Sequence, residues 1–72
     1  MAPELIEQKV SIGRDAYGRD VEAIRKRTYD GKIIWEIVSH PVSQQDDGEK
    51  TSGLTDDNLR NLILALDVVR RN

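Results

Sequence analysis

Cysteine and phenylalanine are absent from this 72-residue chain, and histidine, tryptophan and methionine occur once each. Each scarcity removes a class of explanation. Without thiols, neither a disulfide framework nor a thiolate zinc site can supply stability, and the lone His40 cannot build a multi-histidine metal centre. No apolar run approaches the roughly 18 residues of a membrane span, and the opening MAPELIEQ carries an acid where a secretory leader would carry Arg or Lys. The expectation is a soluble cytoplasmic protein with no membrane partner. Charge of one sign is also scarce. A net charge of −2 with 33 % charged residues gives no bulk attraction to nucleic acid or an anionic membrane, so a nucleic-acid role needs a local patch. Finally, the chain is short. A single domain over 1–72 buries only about 60 % of the surface its unfolded form exposes, so its own core is marginal and self-association is expected.

What is present reads as an α+β domain: a three- to four-stranded antiparallel meander followed by one C-terminal helix packed on it. Residues 5–14 alternate, with Ile6, Gln8, Val10 and Ile12 on one side and Glu7, Lys9, Ser11 and Gly13 on the other, the period of a half-buried strand. RDAYGRD then supplies a hairpin loop, and a second strand runs over 21–29. Asp30-Gly31 predicts a two-residue type I′ turn into a third strand over 32–40. That register places Lys26 opposite Trp35 and Arg25 opposite Glu36. It puts Ile24, Ile33, Trp35 and Ile37 on the core face, and Arg25, Arg27, Ile34, Glu36 and Val38 outside.

Residues 41–53 lose periodicity and form a loop with room for a short fourth strand near 49–52. The helix over 55–71 has marked ends: Thr55 as N-cap, Asp56 and Asp57 at the positive end of the dipole, Arg70 and Arg71 at the negative end. Leu54 and Leu59 occupy hydrophobic-staple positions, whereas Asn58 stands where a capping box prefers Glu or Gln. Leu59, Leu62, Ile63, Leu66 and Val69 form a stripe suited to cover the sheet, and Leu64 with Val68 form a second, smaller one. The second stripe is the expected dimer or partner interface.

Nothing points to catalysis or to a cofactor. His40 before Pro41 has no partner set for general base work, Asp46, Asp47 and Glu49 lack calcium-loop spacing, and DGEKTSG lacks the order of a phosphate loop. The expectation is a non-enzymatic protein with no metal and no cofactor. The run RKRTYDGKIIWEI remains. Arg25 and Arg27 project outward, Lys9 joins them if the first strand pairs with the second, and Arg14, Tyr17 and Arg19 decorate the adjoining loop. Such a face, cations beside an aromatic, is how single-stranded nucleic acid is held. The competing expectation is a solvated face with cross-strand pairing between Arg25 and Glu36.

RKRTYDGKIIWEI and GLTDDNLRNLILAL resemble the basic strand, tight turn, apolar strand and capped helix of the single-stranded-DNA-binding transcriptional coactivators of the positive cofactor four family. Together the two segments cover somewhat over a third of the chain. The resemblance implies a curved antiparallel sheet with an amphipathic C-terminal helix, dimerisation, and DNA contacts on Arg25, Arg27 and Lys32, with Lys9 and Arg14 beside them. The strand order is also similar to the small sheet-plus-helix domains with which some integrases grip DNA. The first reading is a regulatory nucleic-acid-binding homodimer; the alternative is an acidic modulator or inhibitor of another protein, of phage or bacterial type, acting through Leu64, Val68 and the loop acids.

Overall fold

A computed structural model describes residues 5–71. Four antiparallel strands, β1 (Leu5–Arg14), β2 (Asp20–Arg27), β3 (Ile33–Ser39) and β4 (Glu49–Leu54), form an open meander in chain order. One helix, α1 (Asp56–Arg71), follows and packs on β3. The short strand expected near 49–52 is therefore a full edge strand.

The turn between β2 and β3 departs from the expected register. Arg27 pairs with Ile33, Arg25 with Trp35 and Ala23 with Ile37, one residue out of step with a two-residue turn. Tyr29, Asp30 and Gly31 form a three-residue loop closed by the Thr28 amide donating to the Lys32 carbonyl at 2.8 Å. Gly31 takes the left-handed position (φ 86°) that this larger turn requires. The Thr28 hydroxyl explains the choice: it accepts from the Lys32 amide at 3.1 Å and donates to the Asp30 carboxylate.

Because side chains alternate with a period of two, a one-residue slip exchanges faces. Arg25, Arg27, Ile33, Trp35 and Ile37 share the side on which the helix starts, whereas Ile24, Lys26, Ile34, Glu36 and Val38 share the far side. The expected pairings of Lys26 with Trp35 and of Arg25 with Glu36 are thus corrected. An irregularity between Ile6 and Gln8 also breaks the expected alternation of β1, leaving Ile6 and Lys9 on the far side and Gln8 and Val10 on the helix side. In β4, Gly53 at φ 82° absorbs the irregularity that returns Leu54 to a position opposite Trp35.

The helix start follows the sequence closely. Thr55 Oγ1 accepts from the Asn58 amide at 3.1 Å, and Asn58 Oδ1 accepts from the Thr55 amide at 2.8 Å, so Asn58 completes a reciprocal capping box that the residue types alone did not lead us to expect. Asp56 reaches back to the sheet, accepting from the Trp35 indole N–H at 2.5 Å. Beyond that turn the helix stands clear of the sheet. Of the stripe expected to cover the strands, Leu59 is half-buried, whereas Leu62 at 60 %, Ile63 at 70 %, Leu66 and Val69 are exposed, and so are Leu64 and Val68. Among the described residues, the buried apolar core is confined to Val21, Ala23 and Ile24.

Candidate nucleic-acid interface

The two sides of the sheet carry different electrostatics. On the helix side the two arginines from the basic run are already engaged: Arg27 Nε lies 3.2 Å and Arg25 Nη1 3.7 Å from the Glu7 carboxylate, and Arg25 Nη2 lies 3.6 Å from Asp56. Two guanidiniums meet two carboxylates, so this surface is locally neutral. Glu7 was assigned to the strand's polar side with Lys9; the β1 irregularity turns it to the arginines instead.

On the far side, Lys9 from β1, Lys26 from β2 and Lys50 from β4 share one face, and Ser11 pairs across from Glu22 on the same face. Among the described residues, these three ammonium groups and Arg14 stand against three carboxylates, Glu36, Glu22 and Asp20. Glu36 is 5 % exposed and is the centre of the face. It receives Lys26 Nζ at 3.0 Å, the Ser52 hydroxyl at 3.1 Å and Lys50 Nζ at 3.5 Å. Burial pushes the Glu36 carboxyl up, but hydrogen bonds from Lys26 and Ser52 and the charges of Lys26 and Lys50 outweigh it, leaving the pKa lowered. Glu22 instead faces His40 Nε2 at 2.6 Å.

Arg19 is not a surface cation at all. It is 7 % exposed and sits between the two loops at one end of the sheet, with Nε 2.8 Å from Asp15, Nη1 3.3 Å from Asp46 and Nη2 3.6 Å from Glu49. Its guanidinium lies 5.3 Å from the centroid of the Tyr17 ring, and Tyr17 itself is 78 % exposed. The acids are positioned by backbone amides. Asp15 accepts from the Tyr17 and Arg19 amides, each at 2.9 Å, and Asp46 accepts from Gly48 at 2.9 Å and Val42 at 3.2 Å. For Asp15, burial raises the pKa, but the Arg19 amide and side chain reverse this and leave it lowered. For Asp46, the Gly48 amide is the largest cause of the lowering. An open cleft of about 420 Å³ lies beside this staple, lined by Tyr17, Arg19, Val42 and Gln45 among others.

The remaining expected site residues are dispersed. Arg14 pairs with Asp20 at 3.4 Å on an exposed strand end, and Lys32 pairs with Asp30 at 3.6 Å beside the turn. Lys9 is exposed and makes no ion pair among the described residues. Lys50, Lys26 and Glu36 were not singled out as a site; they enter it because the register places them together. Among the described residues there is no cluster of acids, histidines or cysteines able to hold a metal ion, and no helix long and apolar enough to cross a membrane. Comparison with protein-family models, with curated proteins and with solved structures finds no match for the chain.

The lowered carboxyls make a pH prediction. A group whose folded pKa lies below its unfolded value leaves the unfolded state binding more protons, so stability rises with pH across that interval. The contributions of Glu36, Asp15 and Asp46 are therefore fully present above about pH 5 and lost as pH falls through their lowered folded values. Urea midpoints measured from pH 7 to pH 2 are expected to fall most steeply below about pH 4. The Glu36→Gln variant should start about 2 kcal/mol lower at pH 7 and show a shallower decline; an unchanged slope would contradict the role given to Glu36.

Proposed function

We propose that the chain is a non-enzymatic homodimer that binds single-stranded nucleic acid through the side of its sheet facing away from the helix. The observation that supports it is the convergence of Lys9, Lys26 and Lys50, from three different strands, on a sheet surface whose cations outnumber its carboxylates among the described residues, with Lys9 exposed and making no ion pair among them. Lysines spread across the sheet track a flexible phosphate backbone without reading bases, and Ser11 adds a hydroxyl on the same side. The helix side, where Arg25 and Arg27 are balanced by Glu7 and Asp56, offers no such surplus.

Surface area supports the dimer. A folded monomer of 8.2 kDa should expose about 4,500 Å², whereas this chain exposes 5829 Å². The surplus exceeds the roughly 800 Å² that each partner buries in a standard interface. The radius of gyration agrees: 14.2 Å against about 11 Å for a compact domain of this length. Both reflect apolar residues left uncovered on the helix and on β1. A second copy supplies the cover.

Titration of labelled single-stranded and duplex DNA at two salt concentrations tests the binding. Tighter binding of the single strand is expected, and Lys9→Ala/Lys50→Ala should reduce the slope of log K against log salt by about 1.4 per chain. Arg25→Ala/Arg27→Ala should change it little. Absence of binding at low salt would overturn the reading. The alternative, an acidic modulator of another protein, uses the same exposed helix, and a chain that stays monomeric at tens of micromolar would favour it.

A further inference from the structure

From the charge order of α1 we infer that two copies pair through their helices in an antiparallel sense, in one register, about a twofold axis between Ile63 and Leu64. The inference rests on the homodimer just proposed and specifies its geometry. At 100° per residue, Asp56, Arg60, Asp67 and Arg71 fall within about 60° of one another around the helix axis, so they form a single flank between the two apolar stripes. Along that flank the signs run acid, base, acid, base.

Reversing the direction of a second copy inverts the series. Asp56 then faces the partner's Arg71, Arg60 faces the partner's Asp67, and the same two rungs repeat on the other side of the axis. A parallel pair about an axis along the helices would instead carry the two flanks on opposite sides of the seam, where none of these rungs forms. In the antiparallel arrangement the half-buried Leu59 and the exposed Leu62, Ile63 and Leu66 lie along the seam, where their surface is covered, and the charges lie at its rim, where they set orientation. Asp56 is partly engaged with Trp35 and Arg25, and Asp67 receives Arg71 at 2.9 Å within its own helix. Arg60 makes no ion pair among the described residues, which leaves it for the central rung.

Charge reversal across that rung provides the test. In the full chain, Arg60→Asp alone and Asp67→Arg alone each turn two attractive rungs repulsive, and each should raise the dimer Kd about tenfold by sedimentation equilibrium at low salt. An equimolar mixture of the two variants restores both rungs in the heterodimer. It should associate within about threefold of the wild-type Kd, read by native mass spectrometry with one variant mass-tagged. If the mixture associates no better than the separate variants while wild type remains dimeric, the register is wrong and the homodimer stands. If wild type is monomeric at tens of micromolar, the homodimer falls and the register with it.

Discussion

Replacing Leu62 and Leu66 together by aspartate is expected to convert the protein from two chains to one at tens of micromolar by light scattering. The same change should reduce helical ellipticity, because a 16-residue helix that touches the sheet through its first turn draws little support from its own chain. Isolated helices of this length are marginal in water. The two leucines are 60 % and 53 % exposed, so their replacement removes no core contact within one copy. The thermal midpoint of wild type should rise with concentration and that of the variant should not, since only a dimer couples stability to mass action. A variant that remains dimeric would mean that the helix is not the interface. A concentration-independent midpoint in wild type would carry the same message.

The second large effect concerns Arg19. Arg19→Met keeps most of the side-chain volume but strands Asp15 and Asp46, which sit about one-fifth exposed and point toward the lost charge. Removing one partner of a buried ion cluster costs far more than the cluster contributed, because the remaining charges are left uncompensated. A fall in thermal midpoint on the order of 10 °C is expected, with loop residues 42–48 losing amide protection before the strands do. Arg14→Met, on an exposed pair with Asp20, serves as the control and should shift the midpoint by no more than about 2 °C. Equal effects from the two variants would contradict the difference in burial.

The architecture was legible because its signals are local. Alternation marks β1, the Thr55 cap and the acidic and basic ends mark α1, and a turn at Asp30-Gly31 is required by composition. The faces of the sheet were not legible, because they depend on whether that turn holds two residues or three. Asp-Gly serves both, and the deciding group is the Thr28 hydroxyl, one residue outside the pair. A single step moved Arg25 from Glu36 to Trp35 and gathered Lys26 and Lys50 about Glu36. The role of Arg19 was hidden for a different reason. Asp46 lies 27 residues further along the chain, and no periodicity links a loop arginine to an acid in the next loop but one. Hydropathy identified the helix stripes correctly, but it cannot say whether an apolar face meets its own sheet or another molecule.

The interruption in β1 has a bearing on how far assembly can go. This strand is an edge ten residues long and exposed throughout, with Leu5, Ile6, Val10 and Ile12 uncovered, a surface on which chain after chain could add strands and grow a fibre. Register shifts between Ile6 and Gln8 and between Ser11 and Arg14 break its row of amides and carbonyls into short stretches, and Lys9 sets a charge in the middle. An incoming strand finds no continuous template. Growth at the edge is checked, and the helix pairing proposed above would saturate once two copies meet.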